Sequence, residues 1–550
     1  MQPRRSWKNE NRFFMEGDSQ DVKSRTENPE KPILPWGRFL GWLLGSLSAN
    51  SKVSQKSPSD RRRKISTRTK LLFASGTLQE AVVTAGGLTT ILFYNQVLGV
   101  APSLCGTAFL IVSIFDAVSD PVIGTLSDRF KSQWGRRHPF MFASALPMAI
   151  AFYFLYQPAD GLSEIALFVW LTGFLMLLRL GQTFYLIPHD ALGAELTDDY
   201  DERTSIFGYN AVAQMILSMV ITGLTYYAIF PSTPEFENGL LNETRYFILA
   251  SVGSVTILFS IIVCTLGTMD QIPFLHDMDD RKGFTFSQYM GELSILLRNR
   301  NYLAVCLSML TIYVGLGIIG VVANYAMIYV FEMTSENMFW GAAAKLPGVF
   351  FAIPLLAFLS RRFEKQTIFV VVTAYTGVMA AMPHFLKMFD LFPPNDSPFF
   401  LLAFFGPIFL AYLIFPVAMI IIDSQLVDIS DEHELKSGRR SEGIVFSIRS
   451  FANKATHGFG GLIAGFGLEY INFPEEADIG ALPSEALDGL LIMNGPVYLG
   501  IYLLGTVIML FYSIDRRRHA EILSELEARR SIDQQRHAEQ STQMWTQGRD

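Results

Sequence analysis

Apolar runs of about 20 residues, long enough to cross a hydrocarbon core, recur along this chain between short polar breaks. Twelve can be delimited: 70–98, 103–127, 138–157, 164–190, 205–230, 245–268, 301–331, 336–360, 366–387, 397–426, 441–470 and 490–514. They predict twelve transmembrane helices. The polar stretch 269–300 divides them six and six. An earlier apolar run, PWGRFLGWLLGSL at 35–47, is too short to cross. Residues 1–33 have no apolar core of the kind a cleavable signal needs.

Basic residues sort the connections into two sets. One contains Arg129, Lys131, Arg136 and Arg137, then Arg203, then Arg281, Lys282, Arg298 and Arg300, then Arg361, Arg362 and Lys365, then Lys436, Arg439 and Arg440. The alternate connections 99–102, 158–163, 231–244, 332–335 and 471–489 contain no Lys or Arg. The positive-inside rule makes the first set cytoplasmic. Both termini, with RRRK at 61–64 and RRRH at 516–519, fall on that side, as an even number of crossings requires. The expected organisation is a flexible cytoplasmic tail (1–66), a six-helix bundle (67–268), a cytoplasmic central loop (269–300), a second six-helix bundle (301–515) and a cytoplasmic tail (516–550).

A weak repeat links the halves: GTLSDRFKSQWGRRHP follows the second run and LAFLSRRFEKQTIF the eighth. Two repeated six-helix bundles predict an all-α integral membrane protein of the major facilitator fold, with its site between the halves at mid-membrane.

Composition supports the membrane reading. Half of the 550 residues are hydrophobic and 17% are charged, with a mean hydropathy of +0.28. So little charge cannot cover a soluble surface. The formal charge of −7 gives no support for nucleic-acid binding, and the three cysteines stand at unrelated spacings in apolar runs. No nucleophile–base pair, metal cluster or phosphate loop suggests an enzyme, and no cofactor is expected.

Ionisable residues within the runs are the candidate site, because a carboxylate or ammonium at a bilayer centre costs about 2.5–3.5 kcal/mol on insertion scales. Asp116 and Asp120, in IFDAVSDPVIG, are one turn apart and share a helix face. Two adjacent carboxylates repel unless a cation or proton neutralises one. They are therefore candidates for binding a coupling ion, Na⁺ or H⁺. The alternative is a structural salt bridge to Lys454 or Arg179, and the two readings are compatible. Glu80 lies roughly 15 Å into the first helix, where it either meets a hydroxylated substrate, joins the ion path or bonds a neighbouring helix. Arg179, Tyr185 and Arg449 are further candidates for substrate or coupling. Lys345 and Asp423 are also ionisable and intramembrane, and His189 and Asp190 are placed at the cytoplasmic rim.

DAVSDPVIGTLSDRFKSQWGRRHPF, IPHDALGAELTDDYDERTSIFGY and DISDEHELKSGRRSEGIVFSIRSFANKATHGFGGLIAG resemble motifs of the glycoside–pentoside–hexuronide:cation symporter family. The resemblance covers about residues 68–515. It implies that Asp116 and Asp120 form the cation site (for Na⁺, its metal ligands) and that Lys454 lies near the cation and sugar. It also implies that Arg203 pairs across the halves with Asp428, Asp431 and Glu442 to close the cytoplasmic side, and that Asp128, Arg136 and Arg137 form a conformational latch. The family's sugar-binding acids and a nearby arginine have no equivalents, since Ala81, Leu186, Asn210 and Ala211 stand there.

The expected function is cation-coupled symport of a sugar or glycoside by alternating access, in a monomeric multi-pass protein of the plasma or inner membrane. Alternatives are transport of a lysolipid or other amphipathic cargo, or a non-transporting sensor or scaffold that uses 519–539 as a docking helix.

Overall fold

The computed structural model describes residues 64–130, 132, 134–275, 286–438 and 442–547, and leaves undescribed some helical side chains, Glu442 among them. Residues 1–63 of the expected tail and 276–285 of the central loop lie outside this set.

Ten helices among the described residues are long and apolar enough to cross a membrane. The other two expected crossings are helical too. One, Thr77–Leu92, continues through a π turn, and the other, Glu442–Tyr470, carries Arg449, Lys454 and His457. In chain order the crossings are α1 (Thr77–Leu92), α2 (Pro102–Arg129), α3 (His138–Leu155), α4 (Glu164–Glu195), α5 (Tyr200–Leu224), α6 (Glu243–Gly267), α7 (Arg300–Tyr325), α8 (Ser335–Leu359), α9 (Lys365–Met388), α10 (Phe400–Ser437), α11 (Glu442–Tyr470) and α12 (Ser484–Met509). A helix, α13 (Arg516–Gln547), follows. The end that bears residues 64 and 516 is called proximal below, and the opposite end distal.

The side chains divide as lipid demands. On α2, Ile114, Val118, Val122 and Leu126 form one exposed apolar stripe, with Val118 64% exposed, while Asp116 is buried. The two halves meet where α2 packs along α11 and α5 along α8. Glycines permit close approach on α11, as small residues do between membrane helices: a Cβ on Gly465 would stand 2.2 Å from the Pro102 carbonyl oxygen of α2.

At the distal end the halves are sealed by hydrogen bonds. π turns at Phe93–Val97 after α1 and Ala326–Val330 after α7, equivalent places in the repeat, bring polar side chains together. The Tyr325 hydroxyl donates to Asn95 Oδ1 (2.9 Å), and the Tyr329 hydroxyl donates to Gln96 Oε1 (2.7 Å). Gln96 also donates to the Pro474 carbonyl (2.9 Å) and accepts from the Ala477 N–H (3.0 Å). Glu336 accepts from the Ser232 N–H and hydroxyl (2.8 and 2.6 Å).

Among the described residues, the ion pairs at the proximal end instead stay within one half. Arg137 pairs with Asp128 (2.6 Å) and Glu195 (2.9 Å), Arg136 with Glu195 (2.7 Å), and Lys70 with Glu202 (2.6 Å). Among the described residues, Arg203 is not paired with Asp428 or Asp431 in this state. Arg203 contacts Asp198 (4.0 Å) and the Thr197 carbonyl, while Asp428 pairs with Lys365 (2.6 Å) and Asp431 with His519 (3.1 Å). Glu442 has no described side chain.

One expectation about local structure needs correction. The segment with Asp428 and Asp431 is not a loop but the extension of α10 to Ser437, because its Glu, Leu and Lys residues favour helix and the stop comes at Gly438, with φ +71°. The C-terminal tail packs on its own chain: Ile522 and Leu526 of α13 are buried with α10 side chains such as Leu426 and Ile429.

Candidate functional site

Between the halves lies a cavity of about 550 Å³, lined by α1, α2, α4, α5, α7 and α11. Six of its wall residues follow from helical spacing on two elements. On α4, Arg179, Gln182, Thr183 and Leu186 recur at three- and four-residue intervals, and on α11 Lys454 and His457 are three apart.

Asp116 and Asp120 both open onto this cavity. The Lys454 ammonium is in ionic contact with Asp120 Oδ2 and donates to the Asp116 main-chain carbonyl (3.1 Å). Asp120 Oδ1 accepts from the Thr183 hydroxyl (2.9 Å). Both faces of Asp120 are thus engaged. Asp116 differs: Oδ2 lies 4.0 Å from Arg179 Nε, and Oδ1 is buried without a hydrogen-bond partner. Asp120 is thus bridged to a lysine, while Asp116 keeps one carboxylate oxygen without a partner. Among the described residues no group of three or more His, Cys, Asp or Glu side chains could hold a metal ion. A Na⁺ ion would need hydroxyl, carbonyl or water oxygens beside the two carboxylates, and Thr183, Ser113 and Thr456 bring hydroxyls to the same wall.

The Lys454–Asp120 contact joins α11 of one half to α2 of the other. A cation or proton arriving at Asp120 would weaken it and so alter the interface between the halves.

Glu80 projects into the same cavity and into two smaller ones beside it. Asp190, placed at the rim from sequence, belongs to the wall, as do Gln214 and His457, which sequence reasoning missed. The signal for His457 was present in its spacing from Lys454. Gln214 offered none, because an uncharged amide in a membrane helix is unremarkable.

Three candidates lie elsewhere. Tyr185 is fully buried inside the N-terminal half, its ring centroid 5.3 Å from that of His189. Six residues from Arg179 is a rotation of about 240° at 3.6 residues per turn, which turns Tyr185 away from the cavity. Arg449 forms a pair with Asp423 (3.0 Å) on the proximal side and is outside the cavity wall. Lys345 lies over the Tyr412 ring at 4.8 Å within the C-terminal half.

A twelve-helix, two-half architecture around a charged central cavity defines a membrane transporter of the major facilitator type. A family model described as MFS/sugar transport protein matches residues 72–516. The chain belongs to this family, within the glycoside–pentoside–hexuronide:cation symporter group of the major facilitators. It is 25% identical over 542 residues to "Uncharacterized symporter sll1374" of Synechocystis sp. (strain ATCC 27184 / PCC 6803 / Kazusa), covering 85% of this chain and 97% of that one. It is 23% identical over 452 residues to "Glucuronide carrier protein homolog" of Escherichia coli (strain K12), covering 82% and 93%. Among solved structures, a bacterial homologue of the human drug peptide transporters PepT1 and PepT2 superposes with a TM-score of 0.54 at 14% identity, covering 85% of this chain and 99% of that one. That similarity shows the fold alone. The protein is a transporter and not an enzyme.

Proposed function

We propose that this protein carries a sugar or glycoside across a cell membrane together with Na⁺ or H⁺. The proximal end would be cytoplasmic, as the loop charges require, and the sealed distal end would make the described state inward-facing. The ion would be received by Asp116 and Asp120, and the cargo by the wall formed by Glu80, Arg179, Gln182, Asp190, Gln214 and His457. The named relatives, a symporter and a glucuronide carrier homologue, support this cargo class and coupled transport.

The observation that carries the reading is the buried, unpartnered Oδ1 of Asp116 beside an Asp120 already tied to the opposite half. Ion binding there changes both the local charge and the α2–α11 contact, so ion and cargo are linked by a reciprocal coupling energy. Proteoliposomes with Na⁺ and pH gradients imposed separately, over a panel of sugars and glycosides, provide the test. Asp116→Asn is expected to remain folded and to lose gradient-driven accumulation. Concentrative uptake by that variant at the wild-type rate would exclude the ion role.

A further inference from the structure

The central cavity does not end at the charged wall. A second lobe of about 220 Å³ adjoins it on the distal side, and Glu80, Arg179, Gln182 and His457 border both. With Leu186, Leu316 and Thr456, which also border both, they form a neck. Beyond it the chemistry changes: Val83, Leu88, Phe109, Leu155, Leu175 and Val321 make most of the wall, with Thr84 a lone hydroxyl among them toward the neck.

The polar atoms at the far end of this lobe are already engaged. The Tyr156 hydroxyl is hydrogen-bonded to Thr90 Oγ1 (2.7 Å), and Thr90 in turn donates to the Gly86 carbonyl (3.1 Å). A sugar ring pushed into the lobe would find Thr84 for one hydroxyl and leave most of the others without partners, a penalty that they avoid by staying in the wet lobe. An apolar group loses nothing there. The available volume exceeds the roughly 150 Å³ of an apolar protein cavity that holds benzene. Two glycines leave the lobe open: a Cβ on Gly87 would meet nothing within 4 Å, and one on Gly320 only Leu88 Cδ2 at 4.0 Å.

We infer that the cargo is an amphipathic glycoside, its sugar held in the charged lobe and an apolar aglycone of about one ring seated in the distal lobe. The inference rests on the sugar-transport reading above and narrows it. The distal seal lies just beyond the lobe, with Asn95 held by Tyr325, so a single ring or short alkyl group fits the space and a long acyl chain has no way onward.

The experiment compares matched methyl and phenyl glycosides of the same sugars, by equilibrium binding to the full-length protein in nanodiscs. The phenyl glycoside of whichever sugar binds is expected to bind at least about tenfold tighter than its methyl counterpart, because the ring leaves water for an apolar lobe. That preference should collapse toward unity in Gly87→Leu and in Gly320→Val, two independent ways of filling the lobe. Equal binding of methyl and phenyl forms by the wild type would overturn the inference, as would a preference that survives in both filled variants. If no glycoside of either kind binds, the sugar reading fails separately. The same methyl–phenyl comparison on phosphocholine and amino-acid head groups then decides the lobe: a phenyl advantage upholds it and its absence there overturns it.

Discussion

Lys454 is the side chain on which the two halves and the acidic pair converge. Breaking a fully buried ion pair costs about 3–5 kcal/mol because one charge is left uncompensated. Here the partners are 21% and 27% exposed to the cavity, and water there lessens the penalty, so Lys454→Ala is expected to destabilise by about 1–3 kcal/mol. Adding Asp120→Asn removes the orphaned charge. The double variant should recover most of the lost thermal stability in detergent while remaining uncoupled in proteoliposomes. A double variant no more stable than Lys454→Ala would show that the pair does not act as a pair. The acids, Lys454, Arg179 and Glu80 were legible in the sequence because charge within an apolar run is costly and conspicuous. Tyr185 was misplaced because aromatic residues are common in membrane helices, and only their rotation about the helix axis decides what they face.

Among the elements, the π turns at the distal ends of α1 and α7 have the clearest mechanical role. Gln96 makes contacts to Tyr329, Pro474 and Ala477, all in the opposite half. Gln96→Leu should weaken the seal and admit an impermeant maleimide to a cysteine introduced as Gly87→Cys, since Cys105, Cys264 and Cys306 are buried. Labelling no faster than in the Gly87→Cys protein with Gln96 intact would show that the seal does not depend on this residue. The adjoining loop adds a pH dependence. Burial, and then the carboxylates of Glu164, Glu476 and Glu469, raise the Glu475 side chain above its ordinary value of 4.5. An acid raised in the folded state binds its proton more readily there than when unfolded. Its charge therefore begins to destabilise the loop as pH rises past the ordinary value and does so fully above the folded value, and protonation relieves this as pH falls. Hydrogen exchange over 471–483 should be slower in Glu475→Gln than in the wild type near neutral pH, and the difference should vanish below about pH 4.5. A difference that persists at low pH would exclude the charge as its cause. None of the π turns was legible in the sequence, because a π turn differs from an α-helix by one hydrogen-bond register and leaves no hydrophobic period of its own.

For the molecule as a whole, the described arrangement is closed at the distal end and parted into separate ion-pair networks at the proximal end. The C-terminal helix takes part in this arrangement. Its His519 lies 3.4 Å from Asp428 and 3.1 Å from Asp431, and Arg530 pairs with Glu434 at 2.8 Å. Asp428 and Asp431 are two of the three acids that the family resemblance assigns to cross-half pairing with Arg203. Truncation after residue 515 is expected to lower the thermal midpoint and to speed hydrogen exchange over 428–437. Ile522→Ala should do so more mildly, at a cost of about 2 kcal/mol or more for a buried isoleucine. Unchanged exchange after truncation would mean that α10 holds its proximal end without the tail.

The order of apolar runs and the side on which basic residues collect were decided by the sequence alone. Transfer of a side chain to hydrocarbon has a cost set by its own chemistry, and that cost does not depend on its neighbours. The twelve crossings, the two halves and the costly charges at Asp116, Asp120 and Lys454 followed from it. The tertiary structure decided everything that depends on rotation and distance. It tied Asp120 to Lys454, left Asp116 Oδ1 unpartnered, turned Tyr185 inward and sealed the distal end. It also joined a charged lobe to an apolar one, with walls drawn from helices hundreds of residues apart in the chain. No local pattern encodes such a juxtaposition, because it exists only after the two halves have packed against each other.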